Sequence, residues 1–299
     1  MTRLPALSII GTPTKRKALL EVAAEAERRG FPGLVSTGVH GNLALCGSIA
    51  HATSAIPFGT SVQPIYHAHA TETAITAAHL AEVSGGRFQL GIGVSHEPAM
   101  QRLGISTGRP LADMRTYVAA LRSAENQAGK LPPIVLAALR DKMLDLALDV
   151  ADGAVWANAS RSYMPTQAAR IPAQRRSTFT LANMTPTVID ADREAARAVH
   201  RRSLGTYVRL PNYRNYWKLA GYEEEMAAIE AALVAGDRDA VPSLMTDRWL
   251  DDCTISGSAT EVRDQIEAWF DTGADPVVVM SSTSGGQIKA INELFNLYS

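Results

Sequence analysis

The residues best suited to chemistry stand where short apolar runs give way to small or polar side chains. Ser36-Thr37-Gly38-Val39-His40 ends one run, and Val94-Ser95-His96-Glu97 ends another. An imidazole titrates near neutrality, so His40 and His96 are candidate general acids or bases, with Glu97 the adjacent carboxylate candidate. His40 has a second reading as a surface or packing histidine. Gly59-Thr60-Ser61-Val62-Gln63 ends a third run with small and β-branched residues that a flat ring can approach. Ser95, with its neighbouring backbone N–H groups, suits a ring edge or a phosphate; Thr37 and Val94 stand beside these positions. Ala137-Ala138-Leu139-Arg140 leads into a helix, whose free N–H groups and dipole attract anions. Asn158-Ala159-Ser160-Arg161 places small polar residues beside a guanidinium able to grip phosphate with two hydrogen bonds.

Other candidates are weaker. Arg170, Arg175 and Arg176 can meet an anionic ligand tail or lie in a solvated loop. Ser281 to Gly286 offers a second phosphate loop. His67 and His69 fit a structural role at a helix start. The sequence holds no GxxxxGK[ST], HExxH or GxSxG, and no third glycine follows Gly91 and Gly93 at dinucleotide spacing. No spacing suggests a tightly bound metal.

Alternating strands and helices must position these residues. Strands are expected at Leu7–Ile10, Gly33–Ser36, Ile56–Gln63, Phe88–Val94, Ile134–Ala137, Ala154–Ala157, Phe179–Val188 and Pro276–Met280. Helical spacing fills Lys17–Arg29, Leu43–Ser54, Thr71–Val83, Leu111–Ala128, Lys142–Val150 and about Gly286–Leu297. Ser84-Gly85-Gly86 stops one helix, because glycine takes positive φ at little cost. Gly91 and Gly93 strip side chains from the next strand, where a flat or phosphorylated group can approach the backbone. Such alternation implies parallel pairing, and short strands in a chain of this size favour a closed (β/α)8 barrel with its site at the strand C-termini. Between the seventh and eighth strands, about 190–252, four helical stretches form an insertion. Its aromatic run Pro211 to Trp217 either covers the ligand or packs against the barrel. Ser258 and Glu261 fit a capping box. The whole chain, 1–299, reads as one domain.

The 299 residues are 46% hydrophobic and 20% charged, with net charge −1. That supports a large core and gives no global field for nucleic acid or anionic membrane. Cys46 and Cys253 have no metal-like spacing and read as buried thiols. No stretch spans a bilayer and the start lacks a signal peptide's apolar core, so the expected location is the cytoplasm.

The run from Leu80 through Ser84-Gly85-Gly86-Arg87-Phe88 into Leu90-Gly91-Ile92-Gly93-Val94 resembles the bacterial luciferase-like superfamily, and the likeness extends from about Leu7 to Met280. The resemblance implies a (β/α)8 barrel and a flavin-dependent or coenzyme F-420-dependent oxidoreductase. Gly59-Thr60-Ser61-Val62 is similar to the F-420-dependent members, which implies a non-prolyl cis peptide at Ser61–Val62 under one face of the ring. Relatives often carry Asp-His after the second strand; here Gly38 and Val39 stand in that place and His40 comes one residue later. A family proton-donor Glu aligns with His96, with Glu97 one residue on. His69 aligns with a family His.

The resemblance thus implies Thr37, Thr60, Ser61, Val62, Gln63, Val94, Ser95, Ala137, Ala138, Leu139, Arg140, Asn158, Ala159, Ser160 and Arg161 as cofactor-binding. His40, His96 and Glu97 are the catalytic candidates. The expected cofactor is coenzyme F-420, with FMN as the alternative. The expected reaction is hydride transfer on a small organic substrate. The alternatives are an FMN-dependent monooxygenase with a flavin reductase partner, and a non-catalytic flavin-binding barrel. A homodimer is implied.

Overall fold

The computed structural model describes residues 3–38 and 40–299. Met1, Thr2 and Val39 lie outside the described residues, Val39 being one of the pair read in place of Asp-His. Chain contacts divide the protein into two compact units, one of Leu4–Val155 with Ile171–Ala182, the other chiefly of Trp156–Arg170 and Asn183–Ser299.

In the first unit strands and helices alternate. The elements run β1 (Ala6–Ile9), α1 (Arg16–Arg28), β2 (Leu34–Ser36), α2 (Asn42–Ala52), β3 (Phe58–Thr60), β4 (Gln63–Pro64) and α3 (Ala70–Val83). They continue with β5 (Phe88–Gly93), α4 (Glu97–Arg102), α5 (Pro110–Ser123), α6 (Glu125–Ala128), β6 (Ile134–Ala137), α7 (Asp141–Val150) and β7 (Gly153–Ala157). The sheet order is β1-β2-β3-β5-β6-β7, all parallel, with β4 pairing β5. Helix α1 buries Leu19, Val22, Ala23 and Ala26, one stripe at helical spacing, and packs beside α2. Gly85 and Gly86 follow α3 at φ 66° and 84°, as the glycine pair predicts. Arg87 then reaches back: its guanidinium donates to the Ala50, Thr53 and Ile56 carbonyls and to Thr53 Oγ1. It thereby satisfies carbonyls at the end of α2 that have no helical partner. Glu27 does the same service at the start of β3, accepting from the Ser54, Ala55 and Ile56 amides.

The expected strand Ile56–Gln63 is two strands. β3 stops at Thr60 and β4 begins at Gln63, and the Ser61–Val62 peptide between them is cis, as the resemblance implies. Periodicity carries no sign of this interruption. Helix α4 and the split between α5 and α6 also escaped the sequence pattern.

The second unit contains α8 (Met164–Ala168), the end of β8 (Thr180–Ile189), α9 (Arg193–Leu204), α10 (Pro211–Leu219), α11 (Glu223–Ala235), α12 (Val241–Leu244), α13 (Asp247–Cys253), β9 (Ile255–Gly257), α14 (Ala259–Phe270), β10 (Asp275–Ser281) and α15 (Gln287–Leu297). β8 pairs β9 in parallel and also pairs β10. Helices α9–α13 are the insertion expected at 190–252; the short strand β9 that follows was not expected. Ser258 and Glu261 form the capping box at α14, with Ser258 N donating to Glu261 Oε2 at 2.8 Å. Among the described residues no helix is long and apolar enough to cross a membrane.

Candidate active site

In the first unit the site is built on the C-terminal ends of β2, β3 and β5. Asn42, the first residue of α2, joins two of them. It is 1% exposed; its Nδ2 donates to Gly38 O at 2.6 Å and Val62 O at 3.1 Å, and its Oδ1 accepts from Ser36 Oγ at 2.8 Å. Ser61 N donates to Ser36 O at 2.8 Å. The β2 loop and the β3–β4 break are therefore fixed to each other. Sequence reading missed Asn42; an Asn at a helix start is common enough that nothing local marks it.

Gly91 and Gly93 face this break. A Cβ on Gly91 would lie 1.9 Å from Thr60 O, and one on Gly93 would lie 2.6 Å from Val62 Cγ2 and 3.0 Å from Ala137 Cβ. The glycines are needed because β3 and the Val62 side chain crowd β5. The groups that crowd this backbone on the Cβ side belong to the chain itself.

The candidate cofactor residues here divide by what their atoms already do. Thr60 is 4% exposed and its hydroxyl donates to Gly91 O at 2.6 Å, so it holds strands together. Gln63 is buried and pairs with Ile92. The Thr37 hydroxyl bonds that of Ser8 at 2.7 Å. Ser61 Oγ is buried and has no hydrogen-bond partner in the chain. Val62 and Val94 are half-buried, and Ser95 takes φ 62°, turning the chain at the end of β5. His96 follows, and burial pushes its pKa down, favouring the neutral ring. Glu97 is exposed and its carboxylate accepts from Gln101. His40 is exposed on the β2–α2 loop, its ring stacked on His67.

After β6, Ala137 and Leu139 are half-buried, and the Ala138 amide is spent on Val155 O at 2.9 Å. Arg140 is exposed at the N-cap of α7, where no side chain caps the helix. Arg175 is half-buried: its guanidinium bonds the Leu148 and Ala151 carbonyls and lies 4.9 Å over Phe179. His69 is the N-cap of α3, its ring accepting from Thr71 N, a structural role as expected.

In the second unit, Asn158 to Arg161 were read as a phosphate cradle. Their backbone amides are all engaged. Asn158 N donates to Met184 O, Ala159 N to Asn183 Oδ1, Ser160 N to Tyr216 Oη and Arg161 N to Asp252 O. Ala159 and Ser160 are fully buried, and Ser160 Oγ contacts Cys253 Sγ at 3.4 Å. What this segment leaves to a ligand is the half-buried Arg161 side chain; the Asn158 side chain is buried beside the Tyr207 hydroxyl, which it hydrogen-bonds. Asn158 sits at φ 58°, and its carbonyl accepts from Trp217 Nε1 at 3.1 Å. The aromatic run of α10 therefore buttresses this loop, with Tyr213, Tyr216 and Trp217 all buried. Ser282, Thr283 and Ser284 are tied to Glu293, Asp190 and Lys289. Both cysteines are buried, as expected. Among the described residues no His, Cys, Asp or Glu cluster could hold a metal ion.

A family model described as luciferase-like monooxygenase matches residues 6–276. A 5,10-methylenetetrahydromethanopterin reductase of Archaeoglobus fulgidus is 28% identical, covering 81% of this chain and 82% of its own. A putative coenzyme F-420-dependent oxidoreductase of Mycobacterium tuberculosis is 26% identical, covering 88% and 90%. Among solved structures, the coenzyme F-420-dependent tetrahydromethanopterin reductase of Methanopyrus kandleri aligns with TM-score 0.75 at 18% identity, over 97% of this chain and 96% of that one. An F-420-dependent secondary alcohol dehydrogenase, in complex with an F-420-acetone adduct, aligns with TM-score 0.71 at 15% identity over the full length of both. With a match along nine-tenths of its length and the (β/α)8 barrel fold of these neighbours, the chain belongs to the luciferase-like monooxygenase family.

Proposed function

We propose that this protein is an oxidoreductase that uses coenzyme F-420 to transfer a hydride to or from a small organic substrate. The observation carrying this reading is the near full-length similarity to coenzyme F-420-dependent reductases and oxidoreductases, in a family the chain demonstrably shares. The residues present fit such a cofactor. Ser61 Oγ is a buried polar atom without a hydrogen-bond partner in the chain, and a polar ring edge satisfies it.

Coenzyme F-420 is a deazaflavin and, when bound, supplies the carbon that gives or accepts the hydride. Val62 offers the ring an apolar face, and Ser61 Oγ a hydrogen bond. Arg140 attracts its phosphate. Thr37, Gln63, Val94, Ser95, Ala137, Ala138 and Leu139 shape the surrounding walls; Thr60 holds the backbone in place. His40 exchanges a proton with the substrate oxygen. His96, neutral and largely buried, serves as a second base. Glu97 extends the acidic reach of that loop.

The whole chain acts as one luciferase-like domain, works as a homodimer and resides in the cytoplasm; sedimentation of the purified chain tests the dimer. The second reading, an FMN-dependent monooxygenase served by a flavin reductase, has its support in a Baeyer-Villiger monooxygenase of Pseudomonas putida in complex with FMN, which aligns with TM-score 0.60 at 17% identity.

Fluorescence titration of the purified chain with F-420 and, separately, FMN decides between them. Tight F-420 binding with weak FMN binding is expected. Tight FMN binding with no F-420 binding overturns the proposal.

A further inference from the structure

His40 and His67 come together although 27 positions separate them in the chain. Their ring centroids lie 5.3 Å apart with an interplanar angle of 17°, a stacked pair. His67 ends the short 3-10 turn Ile65–His67 that follows β4, so the β3–β4 break that forms the proposed ring platform also sets its position. We propose that His67 is the positioning residue for His40, the two imidazoles forming a stacked unit that carries a single proton, with His67 its neutral base plate. This rests on the reading of His40 as the proton-transfer group.

The rings are not equivalent. His40 is exposed, whereas His67 is half-buried and its Nε2 is buried with no hydrogen-bond partner. A charge on His67 would therefore sit on an unsolvated, unpaired nitrogen, which is costly. Burial, and the facing His40 imidazole, push the His67 pKa down. The other titratable groups around this turn are directed elsewhere. The Tyr66 hydroxyl donates to Asp113 Oδ2 at 2.6 Å; the Tyr117 hydroxyl is bonded to Thr73 and the Ala68 carbonyl; the His69 ring accepts from Thr71 N. Among the described residues no carboxylate acts on His67 to favour its charge.

Two parallel imidazolium rings at this separation repel, so the pair takes one proton readily and resists the second. A cation over a neutral aromatic face is attractive, so a protonated His40 is held against His67 rather than released to solvent. The ring that can reach substrate is thereby kept in one orientation in both protonation states.

The test is histidine ring NMR on the full-length chain across a pH series, with the variants His40→Gln, His67→Phe and His67→Ala. In the wild type the His67 titration should lie below that of an ordinary histidine. His40→Gln removes the facing charge and should move the His67 titration upward by about half a pH unit or more. His67→Phe keeps a flat face and should leave the His40 ring signals near their wild-type shifts, while His67→Ala should move them to those of a freely rotating surface histidine. An unchanged His67 titration in His40→Gln overturns the proposal, as does a wild-type His40 spectrum in His67→Ala. If His67→Ala does not fold, the His40→Gln titration decides alone. Failure of the underlying reading is seen separately: His40→Gln would then oxidise reduced F-420 with carbonyl and activated-alkene acceptors at the wild-type rate.

Discussion

Asn42 Nδ2 donates to Val62 O at 3.1 Å, so the first residue of α2 holds the carbonyl side of the β3–β4 break. The same nitrogen holds Gly38 O at 2.6 Å, and Ser36 Oγ donates to the Asn42 oxygen. One fully buried amide thus fixes both the loop that carries His40 and the segment proposed to face the cofactor ring. Asn42→Ala leaves two carbonyls and a hydroxyl without their partner. It should cost about 1–3 kcal/mol of stability, read by denaturant unfolding, and weaken F-420 binding several-fold. Asn42→Asp keeps the size and the acceptor but loses the donor, so it should lower affinity without restoring stability.

Gly91 and Gly93 grade the crowding behind the same segment. A methyl on Gly91 meets the Thr60 backbone at 1.9 Å, which cannot move without breaking β3 from β5. Gly91→Ala should therefore be destabilising by more than the roughly 1–3 kcal/mol usual for overpacking. The Gly93 methyl meets the Val62 side chain, which can shift. Gly93→Ala should fold, with F-420 affinity reduced about tenfold because Val62 is displaced. Thermal melts and fluorescence titration separate the two effects.

Asn158 combines a left-handed backbone with a buried side chain that hydrogen-bonds the Tyr207 hydroxyl. Asn158→Gly permits φ 58° while removing that bond, so it isolates the side-chain contact from the conformation. It should cost about 0.5–1.5 kcal/mol, read by denaturant unfolding. Asn158→Val removes the bond and also resists positive φ, so it should cost more.

His200 supplies the pH dependence of stability. Its ring is 1% exposed, Nε2 contacts Ile255 O at 3.2 Å, and Nδ1 has no partner. Burial pushes its pKa down to about 4. In the unfolded chain the group titrates near 6.5, so between the two values the unfolded state binds more protons and stability rises with pH. The contribution is complete above about pH 6.5 and is lost as pH falls toward 4. His200→Gln should flatten this part of the profile in melts run across that window.

The sequence carried the repeating strand–helix order, the glycine stop at Gly85-Gly86 and the Ser258–Glu261 capping box, because each is encoded within a few neighbouring residues. It also marked the loops after β2, β3, β5, β6 and β7 as the functional ends, since small and polar residues replace the apolar run there. Tertiary structure decided which atoms in those loops remain free to act. Asn158 to Arg161 look like a phosphate cradle until Met184, Asn183, Tyr216 and Asp252 take their amides. Thr60 and Ser61 look equivalent until Gly91 takes one hydroxyl and nothing takes the other. Asn42 gives no local signal at all, and nothing near His67 in the sequence marks its pairing with His40. Local pattern specifies which elements form; the partner of each buried polar group is set by residues tens of positions away, and only the packed chain brings those together.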